Sequence, residues 1–349
     1  MDVDMRAVVK TKAAPGAELH KVGVPQPGPG EVLIEVRAAS ICGTDYHVYS
    51  WDEWAAARVH PPRIMGHETG GVIVEVGPGV RGFSVGDHVS VETHITCGHC
   101  HSCRTGQGHI CESVEILGID HDGSFAQYMV MPATNLWKNP KDMPFEVAAA
   151  QEPLGNAVHT VFAGEITGKT VLITGLGAIG LFAIGVARAA GADQIIATEL
   201  SAYRRDLGLK MGADAVLDPA QVDTVDAVRE RTKGEGVDVV LEMSGHPVAI
   251  RDAIRACRMG ARVSLLGLPS RDVTMELSQQ VIMRGLTLQG ITGRRMFDTW
   301  YKTRSLLSTG KLDIAPLLTH RLPMTSYDEA MRILHEGNCG KVVLLPQAE

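Results

Sequence analysis

The second half of the chain alternates short apolar runs with longer amphipathic segments. The apolar runs predict six β-strands, at residues 171–174, 194–198, 214–217, 237–242, 262–266 and 286–290. The segments between them predict helices near residues 178–190, 201–211, 222–232 and 247–257. Because strands that alternate with crossover helices form parallel sheets, we expect a complete doubly wound α/β domain over residues 152–300.

The first third of the chain has shorter strands, separated by glycine and proline. Residues 31–37 alternate apolar and polar side chains, as a half-buried strand does, and similar runs follow at 72–76 and 125–131. This pattern predicts a β-rich, barrel-like domain. Near the end of the chain, 297–310 is expected to be helical and 317–321 and 342–345 to be strands. This tail leaves the sheet pattern, so we assign residues 1–151 and 301–349 to one domain.

A glycine-rich turn follows the first strand of the α/β domain. Gly175, Gly177 and Gly180 have the G-x-G-x-x-G spacing of a dinucleotide-binding turn. The first glycine permits a tight turn, the second lets a pyrophosphate approach the backbone, and the third lets the helix pack closely on the strand. The phosphates would then lie at the helix N-terminus.

An acidic residue, Glu199, ends the next predicted strand. A carboxylate at this position can bind the ribose 2′-hydroxyl and repel a 2′-phosphate, which favours NAD over NADP. Arg204 and Arg205 weaken this inference, because a nearby arginine can accept the phosphate. The structural alternative is an ordinary βαβ turn followed by a surface glutamate.

Composition agrees with a globular protein of two domains. Of the 349 residues, 45% are hydrophobic and 21% are charged, and the formal net charge is −7. The negative charge argues against a nucleic-acid partner. We find neither an apolar stretch of membrane-spanning length nor a signal-peptide pattern at the N-terminus, and we therefore expect a cytoplasmic protein.

Four of the seven cysteines lie within fifteen residues. Cys97, Cys100, Cys103 and Cys111 have the spacing C-x2-C-x2-C-x7-C, which is typical of a closed structural zinc site. An iron–sulfur cluster is the alternative. A bacterial ferredoxin pattern would place the fourth cysteine after three residues and follow it with proline, whereas Glu112 follows here. The histidines of this loop are expected to be solvated.

A second set of candidate ligands lies earlier in the chain. Cys42, His67 and Glu68 offer thiolate, imidazole and carboxylate groups, all of which bind catalytic zinc. Residues so far apart in sequence cannot be joined by spacing alone. A buried cysteine and a core histidine are the structural alternative.

Taken in the order in which they occur along the chain, the motifs resemble those of the zinc-containing medium-chain dehydrogenases over essentially its whole length. The resemblance rests on Gly66-His67-Glu68, the four-cysteine loop and the glycine turn. Stretches at residues 41–45, 94–100, 152–159, 241–245 and 293–301 carry a closer match to the threonine branch of the family. It implies a doubly wound Rossmann domain plus a β-rich GroES-like catalytic domain. It also implies NAD, one catalytic and one structural zinc ion, and a homotetramer.

The resemblance also implies roles for the candidate metal ligands. Cys42 and His67 would bind the catalytic zinc, and Glu68 would bind it permanently or transiently. Glu152 would be either the third ligand or a carboxylate close to it. Without the resemblance, Glu152 would be read as an acid near a helix start.

Further positions match family positions that contact the substrate or the cofactor. Thr44 and His47 correspond to the proton-relay pair, and His94 corresponds to a residue of the substrate pocket. The positions that match NAD contacts are Ile179, Glu199, Arg204, Leu266, Gly267, Leu268, Ile291 and Thr292.

The identity of residue 152 narrows the expected activity. Alcohol dehydrogenases of the family usually have cysteine there, whereas an acid fits the threonine and polyol branches. Residues 155–159 favour the threonine branch, which implies NAD-dependent oxidation of L-threonine at C3 to 2-amino-3-oxobutanoate. Oxidation of a polyol or 2,3-butanediol is the alternative. A catalytically inactive NAD-binding sensor would be expected to have lost part of its ligand set.

Overall fold

The computed structural model describes residues 4–348 and divides the chain into two compact units. The first unit comprises Met1–Pro153 and Leu318–Glu349, and the second comprises Leu154–Leu317. Residues 1–3, part of the N-terminal segment considered above, lie outside the described residues. The chain returns to the first unit at Leu318, where sequence analysis set this boundary at residue 301. The helix at Asp298–Ser308 and the segment after it belong to the second unit, where Leu312 packs against Gly185.

The N-terminal segment of the first unit consists mainly of short strands, as predicted. They are β1 (Asp4–Lys10), β2 (Glu18–Gly23), β3 (Glu31–Ser40), β4 (Arg63–Ile64), β5 (Glu68–Val76), β6 (His88–Val91), β7 (His94–Ile95), β8 (Glu115–Ile116), β9 (Tyr128–Pro132) and β10 (Leu136–Lys138). The helices are α1 (Gly43–Ser50), α2 (Glu53–Arg58) and α3 (His101–Arg104), with 3₁₀ turns at Gly108–Ile110 and Ala133–Asn135. Helix α4 (Phe145–Val161) begins in the first unit and ends in the second.

The second unit has the predicted alternation of strands and helices. Its strands are β11 (Thr170–Thr174), β12 (Gln194–Thr198), β13 (Ala215–Leu217), β14 (Val237–Glu242), β15 (Cys257–Leu265) and β16 (Thr287–Gly290). Its helices are α5 (Ala178–Ala189), α6 (Ala202–Lys210), α7 (Thr224–Arg231), α8 (Pro247–Ala256) and α9 (Asp298–Ser308), with a π turn at Ser278–Ile282 and a 3₁₀ turn at Ala315–Leu317.

These strands form one parallel sheet in the order β13-β12-β11-β14-β15-β16. The order reverses between β11 and β14, which is the arrangement of a doubly wound nucleotide-binding sheet. Apolar side chains on the strands, such as Leu172, Val240 and Val263, form a core with Ile250 and Ile254 of α8. The predicted α/β architecture is therefore confirmed.

The C-terminal segment completes the sheet of the first unit. It contains β17 (Leu318–Pro323), a 3₁₀ turn at Met324–Ser326, α10 (Tyr327–Glu336) and β18 (Lys341–Leu345). The largest sheet of the unit has the order β10-β6-β5-β3-β18-β17, and β9 pairs with β3. Because β18 and β5 flank β3, residues from the two ends of the chain meet at one end of this sheet.

Across residues 4–348, the structure has no helix with the length and hydrophobicity that a membrane crossing requires.

Candidate active site and dinucleotide-binding turn

Strand pairing brings three predicted ligands together. In the antiparallel pair β3–β5, Ser40 lies opposite Glu68. Cys42 follows the end of β3 and His67 precedes the start of β5, so both reach the same corner of the sheet. Potential ligand atoms of Cys42, His67 and Glu68 all lie within 4.8 Å of one another. We call these three residues the metal-ligand cluster.

Asp45 orients two members of the metal-ligand cluster. Its side chain is buried, and Oδ2 accepts a hydrogen bond from the Cys42 backbone N at 2.9 Å, at the first turn of α1. The other oxygen, Oδ1, lies 3.3 Å from His67 Nδ1. Although burial opposes the charged imidazole, Asp45 raises the pKa of His67 above its ordinary value. A carboxylate on one imidazole nitrogen leaves the other nitrogen for a metal.

Glu68 has a buried basic partner, which sequence analysis missed. Lys341, at the start of β18, places Nζ 2.6 Å from Glu68 Oε1 and 2.5 Å from Oε2. The Ser40 hydroxyl also donates to Glu68. Burial and the nearby Glu152 raise the pKa of Glu68, whereas Lys341 opposes that shift. Lys341 is 273 residues from Glu68 in the chain, and no motif marked it.

Glu152 lies close to the metal-ligand cluster but is not one of its members. It is buried in the middle of α4, so it is not an acid of a helix start. Its negative charge contributes to the raised pKa values of both Glu68 and Lys341. The structure therefore places two acids at this site, of which Glu68 has the closer approach to Cys42 and His67.

The predicted relay residues lie together on α1. Thr44 Oγ1 is 3.7 Å from Cys42 Sγ, and His47 lies one turn further along the helix. The His47 side chain is 56% exposed, and its Nδ1 lies 2.5 Å from Asp52 Oδ2. Thr44 is therefore next to a candidate ligand, while His47 is open to solvent.

His94 is buried next to an acid that the sequence did not single out. Glu92 Oε1 lies 2.7 Å from His94 Nδ1 and accepts a hydrogen bond from the His94 backbone N at 3.1 Å. Asn135 donates to the backbone oxygens of both residues. These contacts fix the orientation of the His94 ring.

The four predicted zinc-binding cysteines also meet. Potential ligand atoms of Cys97, Cys100, Cys103 and Cys111 lie within 4.8 Å of one another. Amide hydrogen bonds from Cys103 and Glu112 lower the pKa of the Cys100 thiol to about 6. Partial burial and the neighbouring thiols raise the pKa of Cys103 to about 12, so Cys100 forms a thiolate before Cys103 does.

The sulfur spacing fits a single ion better than an iron–sulfur cluster. The Sγ atoms are 4.0 Å apart for Cys97 and Cys103 and 3.9 Å apart for Cys100 and Cys111. Four sulfurs at the Zn–S distance of about 2.3 Å around one tetrahedral ion lie roughly 3.8 Å apart. The prediction that the loop histidines are solvated is wrong for His109, which is buried and lies two residues before Cys111.

The glycine turn has the geometry that its motif predicts. Gly175 adopts φ +82°, a conformation that favours glycine. A Cβ on Gly180 would lie 2.0 Å from Gly175 O, whereas a Cβ on Gly177 would meet nothing within 4 Å. Among the described residues, no side chain caps the N-terminus of α5 at Gly177. The turn therefore offers open space and available amide groups to an anion.

Glu199 is held against the glycine turn. Its carboxylate accepts hydrogen bonds from the backbone N of Leu176 at 2.7 Å and of Ser201 at 2.9 Å. Arg205 is engaged with Asp218 at 3.1 Å and with the backbone oxygen of Glu199 at 3.0 Å. The carboxylate thus lies at the carboxyl end of β12, where a ribose is bound in such sheets.

Five further cofactor candidates follow the carboxyl ends of β15 and β16, while Ile179 lies in the first turn of α5 and Arg204 in α6. Residues 266–268 come directly after β15, and Ile291 and Thr292 come directly after β16. A Cβ on Gly267 would lie 2.1 Å from Gly245 N and 2.7 Å from Glu242 Oε2, so these turns pack tightly. Glu242 is a buried acid that sequence analysis did not name as a site residue, and its Oε1 accepts hydrogen bonds from the backbone N of Ser244 and Gly245.

Comparison with known proteins identifies the family. A model of the alcohol dehydrogenase GroES-like domain matches residues 28–141, and a model of the zinc-binding dehydrogenase matches residues 178–309. The chain belongs to this family of zinc-binding, medium-chain dehydrogenases.

Individual relatives are similar over nearly the full length. The chain is 52% identical to an L-threonine 3-dehydrogenase of Symbiobacterium thermophilum, with 98% of each chain covered. It is 53% identical to an L-threonine 3-dehydrogenase of Pyrococcus horikoshii, with 99% of each chain covered. Among solved structures, 2R,3R-butanediol dehydrogenase from Bacillus subtilis is 29% identical, with a TM-score of 0.88, and the match covers 98% of this chain and 100% of that one.

Proposed function

We propose that the chain is an NAD-dependent enzyme that oxidises L-threonine at C3 to 2-amino-3-oxobutanoate. The observation that carries this proposal is the metal-ligand cluster, in which Cys42, His67 and Glu68 meet at one corner of the first unit. The glycine turn of the second unit supplies the expected cofactor site. The full-length similarity to L-threonine 3-dehydrogenases supports threonine as the substrate.

Two zinc ions fit the side chains of the first unit. The thiolate, imidazole and carboxylate of the metal-ligand cluster suit a catalytic ion, with Glu68 or Glu152 as the third ligand. The four cysteines of residues 97–111 suit a closed structural ion, because all four positions are filled by thiolates. An ion at the first site would supply Lewis-acid stabilisation of negative charge on the C3 oxygen.

The other side chains of the site have separate tasks. Thr44 would accept the proton of the C3 hydroxyl while its own hydroxyl proton leaves toward His47, and His47 would release a proton to solvent. Asp52 holds His47 Nδ1, which fixes the ring in position for this transfer. We assign His94 to the substrate pocket, where Glu92 fixes its orientation. NAD⁺ bound at the glycine turn would supply the hydride acceptor for this oxidation.

The cofactor preference rests on Glu199. Its carboxylate lies beside the glycine turn, where it would accept a hydrogen bond from the ribose 2′-hydroxyl and repel a 2′-phosphate. Arg205 is already paired with Asp218 and is therefore less available to a 2′-phosphate, which favours NAD over NADP. We assign Ile179, Arg204, residues 266–268, Ile291 and Thr292 to the same cofactor site.

The proposed homotetramer is supported by an apolar edge on the second unit. Within the described residues, β16 is an edge strand and pairs only with β15. Leu277, Ile282 and Met283, just before it, are 56%, 71% and 66% exposed. Such a surface is typical of a subunit interface. Light scattering coupled to gel filtration would test the tetramer directly.

The substrate is tested by NADH formation with L-threonine, sorbitol, 2,3-butanediol and ethanol, each with NAD⁺. We expect kcat/KM to be highest for L-threonine. A preference for a diol or polyol would overturn the substrate while keeping the cofactor and the metal sites. If none of the four compounds is oxidised and the chain holds only the structural zinc ion, the result would favour a NAD-binding sensor.

A further inference from the structure

Two residues of the short helix α2 and its N-cap contact the ring of His47. Asp52, the N-cap, accepts a hydrogen bond from the Ala55 backbone N at 3.0 Å, and its other carboxylate oxygen lies 2.5 Å from His47 Nδ1. Trp54 lies edge-on to the same ring, with the ring centroids 6.2 Å apart. Because Asp52 is shared between the helix start and the imidazole, the position of α2 sets the position of His47.

The other end of α2 is fixed by a bidentate ion pair. Arg58, the last residue of the helix, places Nε 3.0 Å from Asp120 Oδ1 and Nη2 2.6 Å from Asp120 Oδ2. Nη2 also donates to the backbone oxygen of Val114 at 3.3 Å. Although partial burial opposes the charge, Arg58 and the Ile116 amide hold the pKa of Asp120 below its ordinary value. Two parallel contacts fix the orientation of the guanidinium as well as its distance.

Asp120 is attached to the base of the four-cysteine loop. Strands β7 and β8 pair so that His94 lies opposite Ile116, and residues 97–111 lie between these two strands in the chain. Asp120 Oδ2 accepts a hydrogen bond from the Ile116 backbone N at 2.8 Å. One carboxylate therefore connects α2, through Arg58, to the strand pair from which the loop emerges. Arg58 and Asp120 are 62 residues apart, so only the folded chain makes this connection.

We propose that the Arg58–Asp120 pair positions His47 for proton transfer by fixing α2 to the base of the four-cysteine loop. Arg58 is a positioning residue rather than a catalytic one, because it acts through α2 and Asp52. The inference rests on the proposed function, in which His47 releases a proton to solvent. Without the pair, the C-terminal end of α2 can shift, and Asp52 no longer holds the imidazole in one place for the transfer.

The test compares the native enzyme with Arg58→Met. The measurements are kcat and KM for L-threonine and NAD⁺, the solvent deuterium isotope effect on kcat, zinc content per chain, and Tm. We expect kcat to be at least about ten-fold lower and the isotope effect to rise, because proton release becomes the slow step. Both KM values and the zinc content should stay close to native. Tm should change little, since a half-exposed ion pair contributes little to stability.

Further variants test the geometry of the pair. Arg58→Lys keeps the charge but loses the fork that contacts both carboxylate oxygens, so we expect an intermediate kcat. Asp120→Asn keeps an acceptor for the Ile116 amide. Added to Arg58→Met, it should lower kcat no further, because the two side chains act as one unit. Arg332→Met is the matched control, since it removes a surface arginine that pairs with Glu336 at 2.6 Å, and it should match the native enzyme in every measurement.

Three results would overturn the proposal. They are a native kcat in Arg58→Met, a lower kcat with the native solvent isotope effect, and failure of both Arg58→Met and Arg58→Lys to fold, which would show that the pair only supports the fold. His47→Gln separates these results from failure of the proposed function. If His47→Gln oxidises L-threonine at the native rate, the relay itself is wrong. If His47→Gln is slow and Arg58→Met is native, only the role of Arg58 fails.

Discussion

Asp45 Oδ1 lies 3.3 Å from Nδ1 of His67, and both side chains are buried. The same carboxylate caps the backbone N of Cys42, so one acid supports a thiol and an imidazole that are 25 positions apart in the chain. Carboxylates behind metal-binding histidines fix the ring and raise its basicity as a ligand. The site therefore depends on Asp45 as well as on the residues that would touch the metal.

Replacement of Asp45 tests this dependence. Asp45→Asn keeps a hydrogen-bond acceptor for Cys42 but removes the charge next to His67. We expect zinc affinity of the catalytic site to fall about 10- to 100-fold, while the four-cysteine site keeps its ion. Zinc retained per chain after titration with a chelator measures both sites at once. Equal loss from the two sites would instead indicate general unfolding.

The two groups of cysteines should respond differently to substitution. Cys42→Ser should lower kcat at least about 100-fold and leave NAD binding nearly unchanged, because Lewis-acid stabilisation is worth several kcal/mol. Cys100→Ser should mainly lower Tm or impair assembly. Turnover, NAD affinity and thermal unfolding of both variants make the comparison. A Cys100→Ser protein with native stability and no activity would refute the structural assignment of that site.

Two glycines of the same turn form a matched pair. A Cβ on Gly180 would lie 2.0 Å from Gly175 O, so Gly180→Ala should destabilise the second unit by about 1–3 kcal/mol. A Cβ on Gly177 meets nothing within 4 Å, so Gly177→Ala should unfold like the native chain but bind NAD more weakly. Denaturant titration and NADH fluorescence distinguish the two effects. A destabilised Gly177→Ala protein would contradict this interpretation of the turn.

Cofactor preference should depend on the charge of Glu199. Glu199→Ala should weaken NAD binding about 10-fold or more and relax the rejection of NADP, since a charge-assisted hydrogen bond and a repulsive charge are both lost. Glu199→Gln is the control, because an amide oxygen retains an acceptor for Leu176 N without the charge. The ratio of kcat/KM for NAD and NADP measures the preference. An unchanged ratio in both variants would place the ribose contact elsewhere.

Stability in mild acid should depend on His88. Burial against Phe145 lowers the pKa of His88 below its ordinary value of 6.5, although Pro140 O accepts a hydrogen bond from Nδ1. Below about pH 6.5 the folded state therefore binds fewer protons than the unfolded state, so the free energy of unfolding falls as the pH drops. Above pH 6.5 both states are neutral at His88, and its contribution to the free energy of unfolding is retained in full. His88→Asn should show a smaller fall in Tm from about pH 7 to about pH 5. Replacement of the exposed His60 by Asn should leave the native slope unchanged.

The sequence by itself determined the features that short stretches of chain specify. The glycine turn has its predicted form, because Gly175, Gly177 and Gly180 act within one strand–turn–helix unit. The cysteines of residues 97–111 meet because they are close along the chain, so one short loop can bring all four together. The parallel sheet also followed from the alternation of apolar and amphipathic segments.

Only the tertiary structure decided how the catalytic corner is supported. Pairing of β3 with both β5 and β18 places Ser40, Glu68 and Lys341 in contact, although the last two are 273 residues apart. Asp45 faces His67 for the same reason, and Glu152 reaches the site from the middle of α4. Strand register and helix packing set these contacts. A carboxylate or an ammonium in a linear sequence carries no mark of the buried partner that it will meet.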